Sequence, residues 1–166
     1  MIDSIDLKKE DKRLQNVQFA ESKAVRAVPP PIAPPEQQLS PTDQALNEAD
    51  KLYAERDLDK AREAYLALIR QTDDRSVRSR SYYGLARVAA LKNEPELAEQ
   101  LFRKTLELSP DPHTGSWSEV YLGRLAEGFG EKDKAVQHFR AALDVEGAPQ
   151  GARQAAEQGI QKLAPR

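Results

Sequence analysis

The chain has 166 residues, 25 basic and 27 acidic side chains for a formal charge of −2, 11 prolines, 8 glycines and no cysteine. That length suits one compact domain of roughly 100–150 residues with a tail, and Ala, Glu, Lys, Leu and Arg fill 81 positions, the composition of long helices or helical repeats and not of an all-β fold. Balanced charge argues against a nucleic-acid binder, which needs a surplus of Lys and Arg on one face. The missing cysteine removes disulfide frameworks and thiolate metal sites.

Residues 1–28 are the first segment, a charged arm. Leu7, Leu14, Val17, Ala24 and Val28 give it only a thin apolar stripe, among twelve Asp, Glu, Lys and Arg residues in positions 1–36. Such a segment stays disordered, or becomes helical only when docked. It lacks the uninterrupted apolar core of a signal peptide. The expectation is therefore a cytoplasmic protein, or one whose targeting segment lies outside this chain. Residues 29–41 follow as a linker: six prolines (Pro29, Pro30, Pro31, Pro34, Pro35 and Pro41) predict an extended, semi-rigid spacer.

From residue 42 onward the chain matches itself at an offset of 37. Ala61, Ala98 and Ala135 form one column, Tyr65, Phe102 and Phe139 a second, and Ala49, Ala86 and Gly123 a third. Each unit holds two apolar stripes at helical spacing, as in Tyr82, Leu85, Ala86 and Ala89 followed by Ala98, Phe102 and Leu106. Short polar breaks (Glu55-Arg56-Asp57, Lys92-Asn93-Glu94-Pro95 and Gly130-Glu131-Lys132) predict antiparallel hairpins. The small residues predict close approach of two backbones with the aromatic filling the space between hairpins, so that enlarging them overpacks the seam.

Helix starts are marked by Ser40 before Pro41, by Asp73 or Asp74, by Pro95, and by Ser116 with Glu119 at capping-box spacing. The units are expected at about 42–74, 75–111 and 114–147. After Gly147-Ala148-Pro149, residues 149–163 put Ala152, Ala155, Ala156, Ile160 and Leu163 on one face, which predicts a capping helix. Seven helices are expected in a domain spanning 42–166. The longest apolar runs, such as Tyr65 to Ile69, fall far short of the ~20 residues that span a bilayer.

Enzymatic constellations are absent from the pattern, and neither a metal nor another cofactor is expected. His113 and His138 are 25 residues apart, read as an exposed loop residue and an outward-facing surface residue, and do not form a zinc set. Gly128-Phe129-Gly130 follows a helix and reads as its C-terminal turn, not as a phosphate loop. The acidic pairs around Asp57 and Asp73 read as helix caps.

Tyr82-x2-Leu85-Ala86-x2-Ala89, Ala98-x3-Phe102 and Pro110, repeated as Leu122-Gly123-x2-Ala126 and Ala135-x3-Phe139, resemble the tetratricopeptide repeat. The first unit carries the pattern more weakly, in Ala45, Ala49, Leu52, Ala61 and Tyr65, and the period is 37 where the family has 34. The resemblance implies an all-α fold, a right-handed superhelix (α-solenoid) of three helix-turn-helix repeats with a capping helix, whose first helices line a concave groove that binds a peptide or helix of another protein.

Carried onto this chain, the groove would comprise Asp43, Leu46, Asn47, Asp50 and Tyr53, then Arg80, Tyr83, Gly84, Arg87 and Ala90, then Trp117, Val120, Tyr121, Arg124 and Glu127. Within it Asn47, Tyr53, Arg80, Tyr83, Arg87, Trp117, Tyr121 and Arg124 are the candidate partner contacts, suited to acidic and apolar side chains. The alternative packs Tyr83, Tyr121 and Trp117 between helices and pairs the arginines with Asp50, Glu119 or Glu127. Leu46, Asp50, Gly84, Trp117 and Tyr121 occupy the positions where co-chaperone members carry their clamp, and none matches it.

The resemblance leaves three roles open. The first is a non-catalytic scaffold. The second is an accessory subunit of a larger, even membrane-associated, assembly, attached through its arm. The third is the non-catalytic part of a bacterial envelope enzyme system, since Trp117 to Arg124 is similar to repeats of envelope and peptidase-associated proteins.

Overall fold

The computed structural model describes residues 39–164, and the arm and most of the proline-rich linker lie outside them. Within this span seven helices follow one another: α1 Pro41–Ala54, α2 Leu58–Gln71, α3 Arg75–Leu91, α4 Pro95–Glu107, α5 Pro112–Gly128, α6 Lys132–Asp144 and α7 Gln150–Leu163. No strand occurs among the described residues.

Local chemistry sets the boundaries. The side chains of Ser40, Asp57, Asp74 and Asp111 cap α1, α2, α3 and α5 by accepting the backbone N–H three residues on, which satisfies one of the otherwise orphaned donors of the first turn. Pro41, Pro95 and Pro112 begin α1, α4 and α5, where a missing N–H costs nothing. The capping box expected at Ser116 is not used. Asp111 and Pro112 start α5 a turn earlier, and the Ser116 hydroxyl donates to the Pro112 carbonyl at 2.7 Å inside the helix.

The three hairpin turns are copies of one device. Arg56, Asn93 and Gly130, each one period from the next, take left-handed backbone conformations with φ of 65°, 60° and 78°. In each turn the following N–H reaches back to the last turn of the helix: Asp57 to Leu52, Glu94 to Ala89, and Glu131 to Ala126. The period beyond 34 is accommodated mainly by long first helices, since α3 and α5 have 17 residues against 13 in α4 and α6.

Successive helices pack as antiparallel neighbours. The first helices also touch one another, α1 with α3, α3 with α5 and α5 with α7, whereas the second helices α2, α4 and α6 do not. Closer spacing on one side curves the stack toward that side, so the first helices form the inner, concave face. Ala49, Ala61, Ala86, Ala98 and Ala135 are fully buried, as are Tyr65 and Phe102, with Phe139 nearly so. The Phe139 ring lies between two glycines: a Cβ on Gly123 would sit 2.6 Å from it and one on Gly159 2.5 Å.

Candidate functional site

The first-helix columns divide according to what the neighbouring helix does. Leu46, Tyr83 and Val120, one period apart, face the core with exposures of 0%, 8% and 0%. The next column, Asn47, Gly84 and Tyr121, meets three different environments. Asn47 is exposed on the leading helix. Gly84 is pressed against the Tyr65 ring, and Tyr121 stacks on Phe102 with centroids 5.0 Å apart and planes 7° from parallel. Trp117 is half-buried and tilted against Tyr121 at 6.2 Å.

Arg87 is the hub of the inner face. Its guanidinium lies 4.2 Å from the Tyr53 ring centre and 4.7 Å from that of Tyr83, a cation–π sandwich. Its Nη2 is 3.2 Å from the Asp50 carboxylate, which also accepts the Tyr65 hydroxyl at 2.6 Å. Its Nε is buried with no hydrogen-bond partner among the described residues. Burial, then the Asp50 carboxylate, push the Tyr65 hydroxyl well above its ordinary pKa. Burial does the same to Tyr83 against the opposing charge of Arg87. Both hydroxyls stay protonated near neutrality, so the hub is a carboxylate, a guanidinium and neutral phenols.

Arg80 and Arg124 differ from Arg87, for neither forms an ion pair among the described residues. Arg124 is exposed and lies 5.7 Å from the Tyr121 ring centre. Arg80 is half-buried and lines a cleft of about 320 Å³ beside Asp50, Tyr53, Tyr83, Arg87 and His113. Residues of α1, α3 and α5 all contribute to this cleft, so the three units meet there. Of the alternative pairing partners Asp50 does hold an arginine, Arg87, whereas Glu127 pairs with Lys162 of the capping helix and Glu119 with His138.

Both histidines depart from expectation. His138 does not face outward. Its Nδ1 is 2.7 Å from Glu119 Oε2, with both side chains about four-fifths covered, because the antiparallel packing of α6 on α5 carries the edge of the α6 polar face over Glu119. His113 is exposed as expected but belongs to the first turn of α5 and not to a loop. Its ring meets Tyr83 edge-on at 6.5 Å. Asp50 and His113, together with Ala54 and Thr114 of the same lining, are thus the members of this site that the list of candidate contacts omitted. Opposite charges one period apart, as in Asp50 and Arg87, were a usable signal for Asp50. No spacing marks His113.

Among the described residues no cluster of three or more His, Asp or Glu side chains lies together as a metal set would, and no helix is long and apolar enough to cross a membrane. Residues 46–111 match the tetratricopeptide repeat. That segment carries tetratricopeptide repeats. A search of solved structures adds a likeness in fold: the crystal structure of MamA superposes with a TM-score of 0.54 at 17% identity, covering 98% of this chain and 94% of that one. No curated protein matches. Repeats of this family serve generally as scaffolds for protein–protein interaction.

Proposed function

We propose that the chain is a non-catalytic scaffold that holds a peptide or helix of another protein along the concave face of α1, α3 and α5. Asn47, Tyr53, Arg80, Trp117 and Arg124 are within a partner's reach, and Tyr83, Arg87 and Tyr121 form the packed floor beneath them. The observation that carries this reading is the presence, on one inner face, of two arginines without ion pairs among the described residues beside half-buried aromatic rings. Arginine and aromatic side chains dominate the energetics of protein interfaces. The α1–α3–α5 cleft supports it further, since it exists only where three repeats converge.

Site-specific photocrosslinking in the native cell tests the proposal. A crosslinkable side chain at Asn47 or Arg124 should capture a partner protein. The same group at Glu63, Gln100 or Gln137, exposed on the second helices, should not. Adducts confined to the second-helix positions would eliminate the groove.

A further inference from the structure

The inner face offers two clefts that share Arg80, His113 and Thr114. One extends toward Tyr53 and Ala54 of α1, the other toward Ser76 and Asp111, and together they make a trough running past Arg80 and His113 to both sides. Arg87, which also lines the first cleft, is spent: the Asp50 ion pair and two tyrosine rings hold its guanidinium, so turning it outward would break all three contacts. The two carboxylates that line the trough are likewise engaged, Asp50 by Arg87 and the Tyr65 hydroxyl, and Asp111 by the backbone N–H and hydroxyl of Thr114 at 3.0 and 2.6 Å. What is left facing the space is one guanidinium without an ion pair among the described residues and one exposed imidazole.

We propose that this trough takes an extended segment of a partner protein by a single acidic side chain, its carboxylate held between Arg80 and His113 while a neighbouring apolar residue of the same segment lies against Tyr53 and Ala54. The proposal rests on the scaffold reading above and names its specificity. The carboxylate belongs to an Asp or Glu within the segment and not to a chain terminus, because the trough continues on both sides of Arg80 and His113 and a through-running chain fits it. Arg87 is a positioning residue that orients Tyr53 and Tyr83 and does not touch the ligand. Its one-period neighbour Arg124 lies outside both clefts.

The test is selection of random dodecapeptides, displayed with their C termini fused so that only side chains supply carboxylates, against the full chain. The enriched peptides should share an acid beside an apolar residue. Converting that acid to its amide in a synthetic peptide should weaken binding about tenfold, and Arg80→Gln and His113→Gln about fivefold each, with Arg124→Gln having under about a twofold effect. Circular dichroism melts of the variants should match the parent.

Failure to enrich any peptide, acid-free enriched peptides, or undiminished binding to the Arg80→Gln/His113→Gln double variant would overturn the proposal. So would tighter binding of a peptide whose only carboxylate is its own C terminus. If peptides that ignore the double variant are lost on Arg124→Glu, the scaffold reading survives and only this inference falls. If they ignore every first-helix substitution but are lost on Glu63→Lys or Gln100→Glu, the concave-face reading falls with it.

Discussion

The two junctions between repeats solve one packing problem with different chemistry. At the first, the ring of Tyr65 from α2 lies against Gly84 of α3, and its hydroxyl is tied to Asp50 beside Arg87. At the second, Phe102 of α4 occupies the equivalent position, and the place of Gly84 is taken by Tyr121, whose ring stacks on it while Tyr83 meets it edge-on at 6.0 Å. The first junction therefore relies on a missing side chain and a polar network, the second on an aromatic stack. A repeat period specifies that a large ring sits between hairpins but leaves open whether its neighbour yields or stacks.

Breaking the stack should have the largest effect. Phe102→Ala removes a fully buried ring from between α3 and α5, with an expected loss of about 3–5 kcal/mol in urea unfolding. Next comes filling the glycine contacts. Gly84→Ala and Gly123→Ala each drive a Cβ into a ring, at a cost of about 1–3 kcal/mol. Gly84→Ala should be the worse of the two because the Tyr65 ring it meets is anchored through its hydroxyl. Equal costs would show that the Asp50 hydrogen bond does not fix the ring.

The polar network sharpens the contrast through pH. Tyr65→Phe should cost about 1 kcal/mol at neutral pH by removing the hydrogen bond to Asp50. Because the folded state raises the Tyr65 pKa above its ordinary value of 10.0, the stability linked to its protonated form is fully present below the unfolded pKa and is lost as pH rises above it. Thermal melts between neutral pH and strong alkali should therefore fall more steeply for the parent than for Tyr65→Phe. Identical slopes would remove the first junction's dependence on a neutral phenol.

The smallest effect concerns the hairpin turns. Arg56 holds the left-handed conformation that its counterpart Gly130 adopts without a Cβ penalty. Arg56→Gly should stabilise by about 0.5 kcal/mol, the relief of strain exceeding the extra entropy lost on folding. Gly130→Arg should destabilise. No change in either midpoint would mean that the turn tolerates both.

Much of the fold was legible because it repeats. Three columns at one offset and the short polar breaks located the hairpins and their antiparallel pairing, and the apolar face after Gly147-Ala148-Pro149 located the capping helix. The caps at Ser40 and at Asp73 or Asp74, of which Asp74 is used, and the turn at Gly130 followed from residue chemistry. Misreadings came where two helices meet. His138 precedes a buried Phe139, and its own helix alone would point it toward water; only α5 brings Glu119 over it. Ser116 has the right spacing for a capping box, but Asp111 with Pro112 offers an earlier start.

The site was less legible for the same reason. The eight candidate contacts sit on the first helices, but of them Tyr83 is buried, only Asn47 and Arg124 are exposed, and half-buried Arg87 is held in an ion pair with Asp50. His113 reached the inner face because α5 starts there and packs beside α3.

What the amino-acid order settled by itself was the azimuth of each side chain on its own helix and the register of one hairpin on the next, since both follow from a helical period of 3.6 and a repeat of 37. What only the tertiary structure decided was exposure. Asn47, Gly84 and Tyr121 share one azimuth and one register, and they differ because no described residue packs over the first, a tyrosine ring presses on the second, and a phenylalanine stacks on the third. Burial is a property of pairs of helices, and the second member of each pair lies a full repeat away in sequence.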